Sequence, residues 1–132
     1  MAPAEGEKVP AVHPPKTYRA RVEVEGGATG DDASRLAQGL SGAVLAQRTP
    51  VRVSRRRADL VRERRVLEAS TRLLEDGALE LDVRTEGGTY IKEMISGDSG
   101  RTEPSASSIL GRPCVCAALD VLEVEMEDPA AG

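Results

Sequence analysis

The chain has 132 residues and a mass of 14.0 kDa, with 39% hydrophobic residues, a mean hydropathy of −0.33 and a net charge of −4. That length suits one domain around a single modest core, and no apolar run approaches the roughly 20 residues of a membrane span. The N-terminus lacks the apolar stretch of a secretory signal, so the expectation is a soluble, cytoplasmic protein with no membrane partner.

Residues 1–15 hold four of the eight prolines and read as a disordered leader. Residues 17–25 alternate cleanly: Tyr18, Ala20, Val22 and Val24 face one way, and Arg19, Arg21, Glu23 and Glu25 the other. This is the pattern of a half-buried strand. After a glycine loop, Asp31 or Asp32 can cap a short helix that runs through Leu40, with Ala33, Leu36, Ala37 and Leu40 on one face and Gly42 closing it. Residues 43–46 are a short apolar run. Pro50 argues against a central strand there, so residues 51–62 read as an edge or surface segment displaying arginines. Residues 64–70 and 78–85 alternate again, and Glu75-Asp76-Gly77 between them predicts a hairpin turn. Residues 89–92 read as a strand. Pro104-Ser105 starts a short helix through Leu110 with Gly111 after its end, and residues 115–126 form the last strand. The fold class is therefore α+β, a mostly antiparallel mixed sheet with two short helices. The domain spans residues 16–127, followed by a tail over 128–132.

Charge is distributed unevenly. Between Arg48 and Arg65 stand eight arginines against Asp59 and Glu63, a local net of +6 that leaves −10 for the rest of the chain. Such asymmetry suits a basic patch that meets phosphate, on a body kept soluble by acidic residues. The guanidinium fork matches phosphate oxygens and stays charged, which favours nucleic acid over a merely solvated face. Arginine outnumbers lysine 15 to 3, as fits either a GC-rich genome or a salt-adapted acidic proteome.

Other chemistries find little support. Cys114 and Cys116 lie one residue apart on one strand face, which is poor disulfide geometry, and no second pair exists for zinc. They read as small packing residues, and no metal is expected. His13, the one histidine, precedes two prolines in the leader and carries no role. Asp98-Ser99-Gly100 matches a fragment of a serine-protease signature but has no histidine to activate Ser99.

The stretch from Gly87 to Ser105 is the most unusual. Four glycines and a proline punctuate it, and Tyr90 and Lys92 stand two apart. On a strand they would share a face, and a ring beside a cation suits a stacked base next to an anion.

Four blocks carry a resemblance over residues 16 to about 124. They are Lys16-Thr17-Tyr18-Arg19-Ala20; Gln47-Arg48-Thr49-Pro50-Val51-Arg52-Val53 with Arg56-Arg57-Ala58-Asp59-Leu60-Val61-Arg62; Gly88-Thr89-Tyr90-Ile91-Lys92-Glu93 with Gly97-Asp98-Ser99-Gly100-Arg101-Thr102-Glu103-Pro104-Ser105; and Leu119-Asp120-Val121. In this order they resemble the C-terminal catalytic region of the tRNA pseudouridine(54/55) synthase family of archaea and eukaryotes. The resemblance implies an isomerase that turns a uridine of the tRNA T-arm into pseudouridine without a cofactor. The target base is flipped out of the RNA into a cleft. An aspartate acts at the sugar C1′, the glycosidic bond breaks, and the uracil rotates and rejoins through carbon. Tyr90 would stack on the flipped base, Lys92 would pair with the aspartate and hold it ionised, and Leu110 would form the apolar wall. Arg48, Arg52, Arg56 and Arg57 would hold the tRNA backbone, with Arg55, Arg62 and Arg101 in the same blocks.

Two positions depart from the family pattern. Arg55 stands where family members typically have a histidine before the paired arginines. The catalytic aspartate of a Gly-Arg-Glu-Asp type motif has no counterpart upstream of Lys16, and neither does the family's N-terminal RNA-binding domain with its zinc cysteines. The resemblance therefore implies roughly half of a catalytic cleft, inactive alone, whose partner besides tRNA is a separate chain carrying the aspartate. The alternatives are a non-catalytic tRNA-binding module or a truncated gene fragment.

Overall fold

The computed structural model describes residues 14–51 and 60–125. Six strands form one sheet: β1 (Lys16–Val24), β2 (Val44–Arg48), β3 (Val61–Leu73), β4 (Leu79–Thr85), β5 (Thr102–Glu103) and β6 (Cys114–Val124). Their spatial order is β5-β2-β3-β4-β1-β6, with every adjacent pair antiparallel. Three helices accompany them: α1 (Gly30–Leu40), α2 (Ile91–Ser96) and α3 (Ala106–Leu110), with a single 3₁₀ turn over Asp98–Gly100. The α+β class and the antiparallel sheet agree with the sequence. The helix count does not, because α2 replaces the strand expected over residues 89–92.

That difference has a local cause. Gly88 turns the chain with φ 86°, which ends any extended run. Beyond it Ile91, Met94 and Ile95 are buried, a spacing of three and four that fits a helix and not a strand. Gly97 then stops the helix in the left-handed conformation, φ 88°, with its N–H on the Glu93 carbonyl at 2.7 Å. The shared strand face of Tyr90 and Lys92 therefore does not exist.

The sheet buries one face under the helices. Tyr18, Ala20, Val22 and Val24 of β1 join Leu79, Leu81 and Val83 of β4, and meet Ala33, Leu36 and Leu40 of α1 and Ile91, Met94 and Ile95 of α2. The opposite face is an ion-pair ladder. Arg19 grips Asp82 through two bonds of 2.8 Å, Arg72 reaches Glu80 at 2.9 Å, and Arg84 holds Glu125. A bulge between Val66 and Glu68 shifts the register of β3, which lets Val66 and Ala69 both face the helices despite their odd separation.

Helix α1 opens on Thr29 rather than on either aspartate. The Thr29 hydroxyl accepts the Asp32 N–H, and the Asp32 carboxylate accepts the Thr29 N–H in return. The same carboxylate meets Arg112 at 2.5 Å, beyond the end of α3. Cys114 is buried in the core and Cys116 half-buried, and both thiols are free. His13 lies outside the described residues.

Candidate functional site

The turn that carries Tyr90 is fixed to the sheet by a buried glutamine. Gln47, 1% exposed on β2, accepts the Tyr90 N–H at 3.0 Å and donates to the Tyr90 carbonyl at 2.9 Å. Its cross-strand neighbours are Arg62 on β3 and Thr102 on β5. Tyr90 is thus pinned over the strand pair that bears Arg48 and Arg62. It is the N-cap residue of α2, with extended backbone and half-buried.

From that anchor α2 crosses toward β6 at the opposite edge of the sheet, against which it packs. Lys92, in its first turn, is exposed. It lies near enough to β6 to act on Cys116: burial pushes that thiol up, Lys92 pulls it down, and Glu93 adds to the rise. Tyr90 is thus held to β2, while the helix that carries Lys92 packs against β6. Leu110, the last residue of α3, is 5% exposed and belongs to the core, so it offers a pocket only a sliver of surface.

The arginines divide by surroundings. Arg48 is exposed on β2, and its N–H donates to the Arg101 carbonyl at 2.8 Å. Arg62 is half-buried and donates to the Thr49 hydroxyl at 3.2 Å. Arg101 places its guanidinium on the Thr49 carbonyl, at 2.7 and 3.1 Å, and meets Asp98 at 3.8 Å. These contacts make Arg101 a support of the chain leading into the arginine run. Arg52, Arg55, Arg56 and Arg57 lie outside the described residues.

Sequence reasoning missed Gln47 as a functional element and Thr49 as its companion, although both stand in the second block. Thr49 is fully buried and takes bonds at its hydroxyl from Arg62 and the Leu60 N–H, and at its carbonyl from Arg101. The available signal was two polar residues at the inward parity set by Leu45, where a core residue belongs.

No helix among the described residues is long and apolar enough to cross a membrane. Residues 8–125 match the family described as "Pus10, C-terminal". Relatives named tRNA pseudouridine synthase Pus10 include those of Korarchaeum cryptofilum, 54% identical over 85% of this chain and 30% of that protein, and of Methanothermobacter marburgensis, 61% identical over 83% and 26%. That of Halorubrum lacusprofundi is 44% identical over 86% and 26%. The chain thus spans about a third or less of the length of these curated relatives. A chain in the crystal structure of a Cbf5-Nop10-Gar1 complex superposes with a TM-score of 0.66 at 23% identity, over 84% of this chain and 31% of that one; the likeness shows a shared fold. With the match running through both the Gln47 strand and the Tyr90 turn, the chain belongs to the Pus10 C-terminal family.

Proposed function

We propose that this chain forms one wall of the active cleft of a tRNA pseudouridine synthase acting in the T-arm, and that a separate segment supplies the nucleophilic aspartate. The observation that carries the proposal is the Gln47 anchor, which holds an aromatic residue beside a strand pair bearing arginines. Tyr90 stacks on the flipped uracil, as aromatic rings do on extruded bases. Lys92 pairs with the incoming aspartate and keeps it ionised. Leu110 backs the base, and Arg48, Arg52, Arg55, Arg56, Arg57 and Arg62 hold phosphates, with Arg101 supporting the segment they stand on. The reaction conserves every atom of the nucleotide: the N1–C1′ bond breaks, a C5–C1′ bond forms, and the C5 proton is lost as N1 gains one.

Two features support an outside carboxylate. Glu93 is 6% exposed, and Asp98 is bound to the Val51 N–H and Arg101, so neither is presented beside the ring. The core face of the sheet also runs out uncovered at β6, where Val121 stands opposite Tyr18 yet is 55% exposed, with Val124 exposed beyond it. An apolar sheet edge of this kind is a template for another strand.

The test mixes the chain with T-arm RNA, alone and with a separately produced segment of a relative that carries the Gly-Arg-Glu-Asp motif. Pseudouridine forms only in the mixture. RNA binding by the chain with no product in the mixture would instead support a non-catalytic tRNA-binding module.

A further inference from the structure

We propose that Gln47 is a positioning residue that sets Tyr90 for stacking. The proposal rests on the reading of Tyr90 as the ring that meets the base, and adds to it the group that fixes where the ring stands.

A glutamine buried to 1% exposure is costly by about 1–3 kcal/mol unless its amide is fully bonded. Here it is bonded on both sides. Its Oε1 accepts the Tyr90 N–H at 3.0 Å, while its Nε2 donates to the Tyr90 carbonyl at 2.9 Å and to the Thr102 hydroxyl at 3.4 Å. The orientation of the amide is unambiguous, because a peptide N–H can only donate and a peptide carbonyl can only accept. Among side chains that carry no titratable proton, only a carboxamide supplies an acceptor and a donor at this spacing. An ionised glutamate would keep the first bond and turn the second into a repulsion, so the glutamate variant is read at alkaline pH, where its carboxyl is charged.

Tyr90 requires such a holder. As N-cap of α2 it has no side-chain cap bond of its own, and α2 is too short to be stable by itself. The Tyr90 carbonyl also accepts the Met94 N–H at 3.0 Å, so Gln47 and the helix together fill both of its lone pairs. Because Gln47 stands opposite Arg62, the clamp fixes the base-stacking residue at a set distance from a phosphate-binding one. A ring displaced by an ångström would still lie near the RNA but would lose the face-to-face geometry that stacking and reaction require.

The test uses the full chain with Gln47→Met and Gln47→Glu, and Leu45→Ala as a control at the preceding inward position of β2. There is no tryptophan and Tyr18 is the only other tyrosine, so quenching of tyrosine fluorescence by a T-arm stem-loop reports stacking on Tyr90. Amide exchange of Tyr90, followed by NMR, reports the clamp without RNA. In both Gln47 variants Tyr90 exchange accelerates by about tenfold or more, the quench at saturation falls by about half or more, and RNA affinity changes by less than about threefold because the arginines carry it. Leu45→Ala lowers the melting temperature but leaves the quench per bound complex intact. Where the methionine variant does not fold, the glutamate variant carries the comparison. Unchanged Tyr90 exchange and quench in a folded Gln47 variant would overturn the proposal. An equal loss of quench in Leu45→Ala would also overturn it, by showing general loosening. A wild-type chain that binds RNA with no quench would remove the stacking role itself, and Tyr90 exchange would then show whether the clamp stands as architecture alone.

Discussion

The Asp98 carboxylate accepts the Val51 N–H at 3.1 Å, which ties the Gly97–Arg101 turn to the entrance of the arginine run. Asp98 reaches this position from an uncommon backbone. Gly97, Asp98, Ser99 and Gly100 all have positive φ, at 88°, 46°, 55° and 89°, and two of them are not glycine. A left-handed residue with a Cβ costs roughly 1–2 kcal/mol, so tertiary contacts must hold the turn in place. Arg101 supplies the second tie, on the Thr49 carbonyl.

Asp98→Ala removes the acceptor and puts a less tolerant residue at φ 46°. The expected loss of stability is about 1–2 kcal/mol, read by urea unfolding. Affinity for T-arm RNA falls with it, because the arginines lose their anchored entry. A variant as stable as wild type with undiminished binding would show that the tie is incidental.

Gly97→Ala meets two penalties at once. Its φ of 88° disfavours alanine, and an added Cβ would lie 2.8 Å from the Ser105 Oγ. That oxygen is the N-cap acceptor of α3, bonded by the Ser108 N–H at 3.1 Å, so displacing it loses a cap worth about 1 kcal/mol. The sum is about 2–3 kcal/mol. Gly26→Ala is the matched control: its φ is 80°, but nothing lies within 4 Å of the new carbon. It should cost only about 1 kcal/mol. Equal melting temperatures for the two variants would contradict the packing argument.

Acid should weaken the fold through Asp32. Arg112 holds this carboxyl below the usual carboxylate range, and the Thr29 bonds act the same way against burial. A carboxyl lowered in the folded state contributes stability above its unfolded value, about 3.9, and that stability is lost as pH falls through the lower folded value. Asp82 beside Arg19 and Glu125 beside Arg84 are lowered too, so they add with the same sign. Melting temperature should therefore drop steeply from pH 5 to below pH 3. Asp32→Asn keeps the cap acceptor but loses the charge. It should melt lower at pH 7 and show a shallower acid decline, and superimposable pH profiles would rule this linkage out.

How much was legible depended on what each residue answers to. The hairpin of β3 and β4 was visible because Glu75-Asp76-Gly77 encodes its own turn and alternation is local. The extent of β3 was not, since the bulge at Val66 inverts the parity on which alternation rests. The strand expected through Tyr90 failed although the opposing signal, Ile91, Met94 and Ile95 before Gly97, was present. Two residues of apparent alternation outweighed a four-residue helical period that a short helix barely displays. Gln47 was quoted as part of a motif but given no task, because its partner lies 43 residues away and only the β2–β3–β5 register brings Tyr90 over it. The arginine face was legible as charge, whereas the supporting role of Arg101 depended on the buried Thr49 carbonyl.

The exposed apolar edge gives the most direct test of the divided cleft. Among the described residues β6 pairs with β1 alone, while Val121 and Val124 extend the core face into solvent. A lysine on an edge strand opposes further pairing and its charge resists burial. Val121→Lys should leave the chain's own stability within about 0.5 kcal/mol of wild type, since the side chain is already exposed. RNA affinity should also hold, because Arg48 and Arg62 lie on β2 and β3, away from the β6 edge. Pseudouridine formation in the mixture with the aspartate-bearing segment should instead fall by about tenfold or more, at a cost in assembly of at least about 1.4 kcal/mol. Raising the concentration of that segment should recover the rate, since assembly rather than chemistry is impaired. An unchanged rate at limiting segment would place the junction elsewhere, and a loss that no concentration recovers would point to Val121 acting inside the cleft.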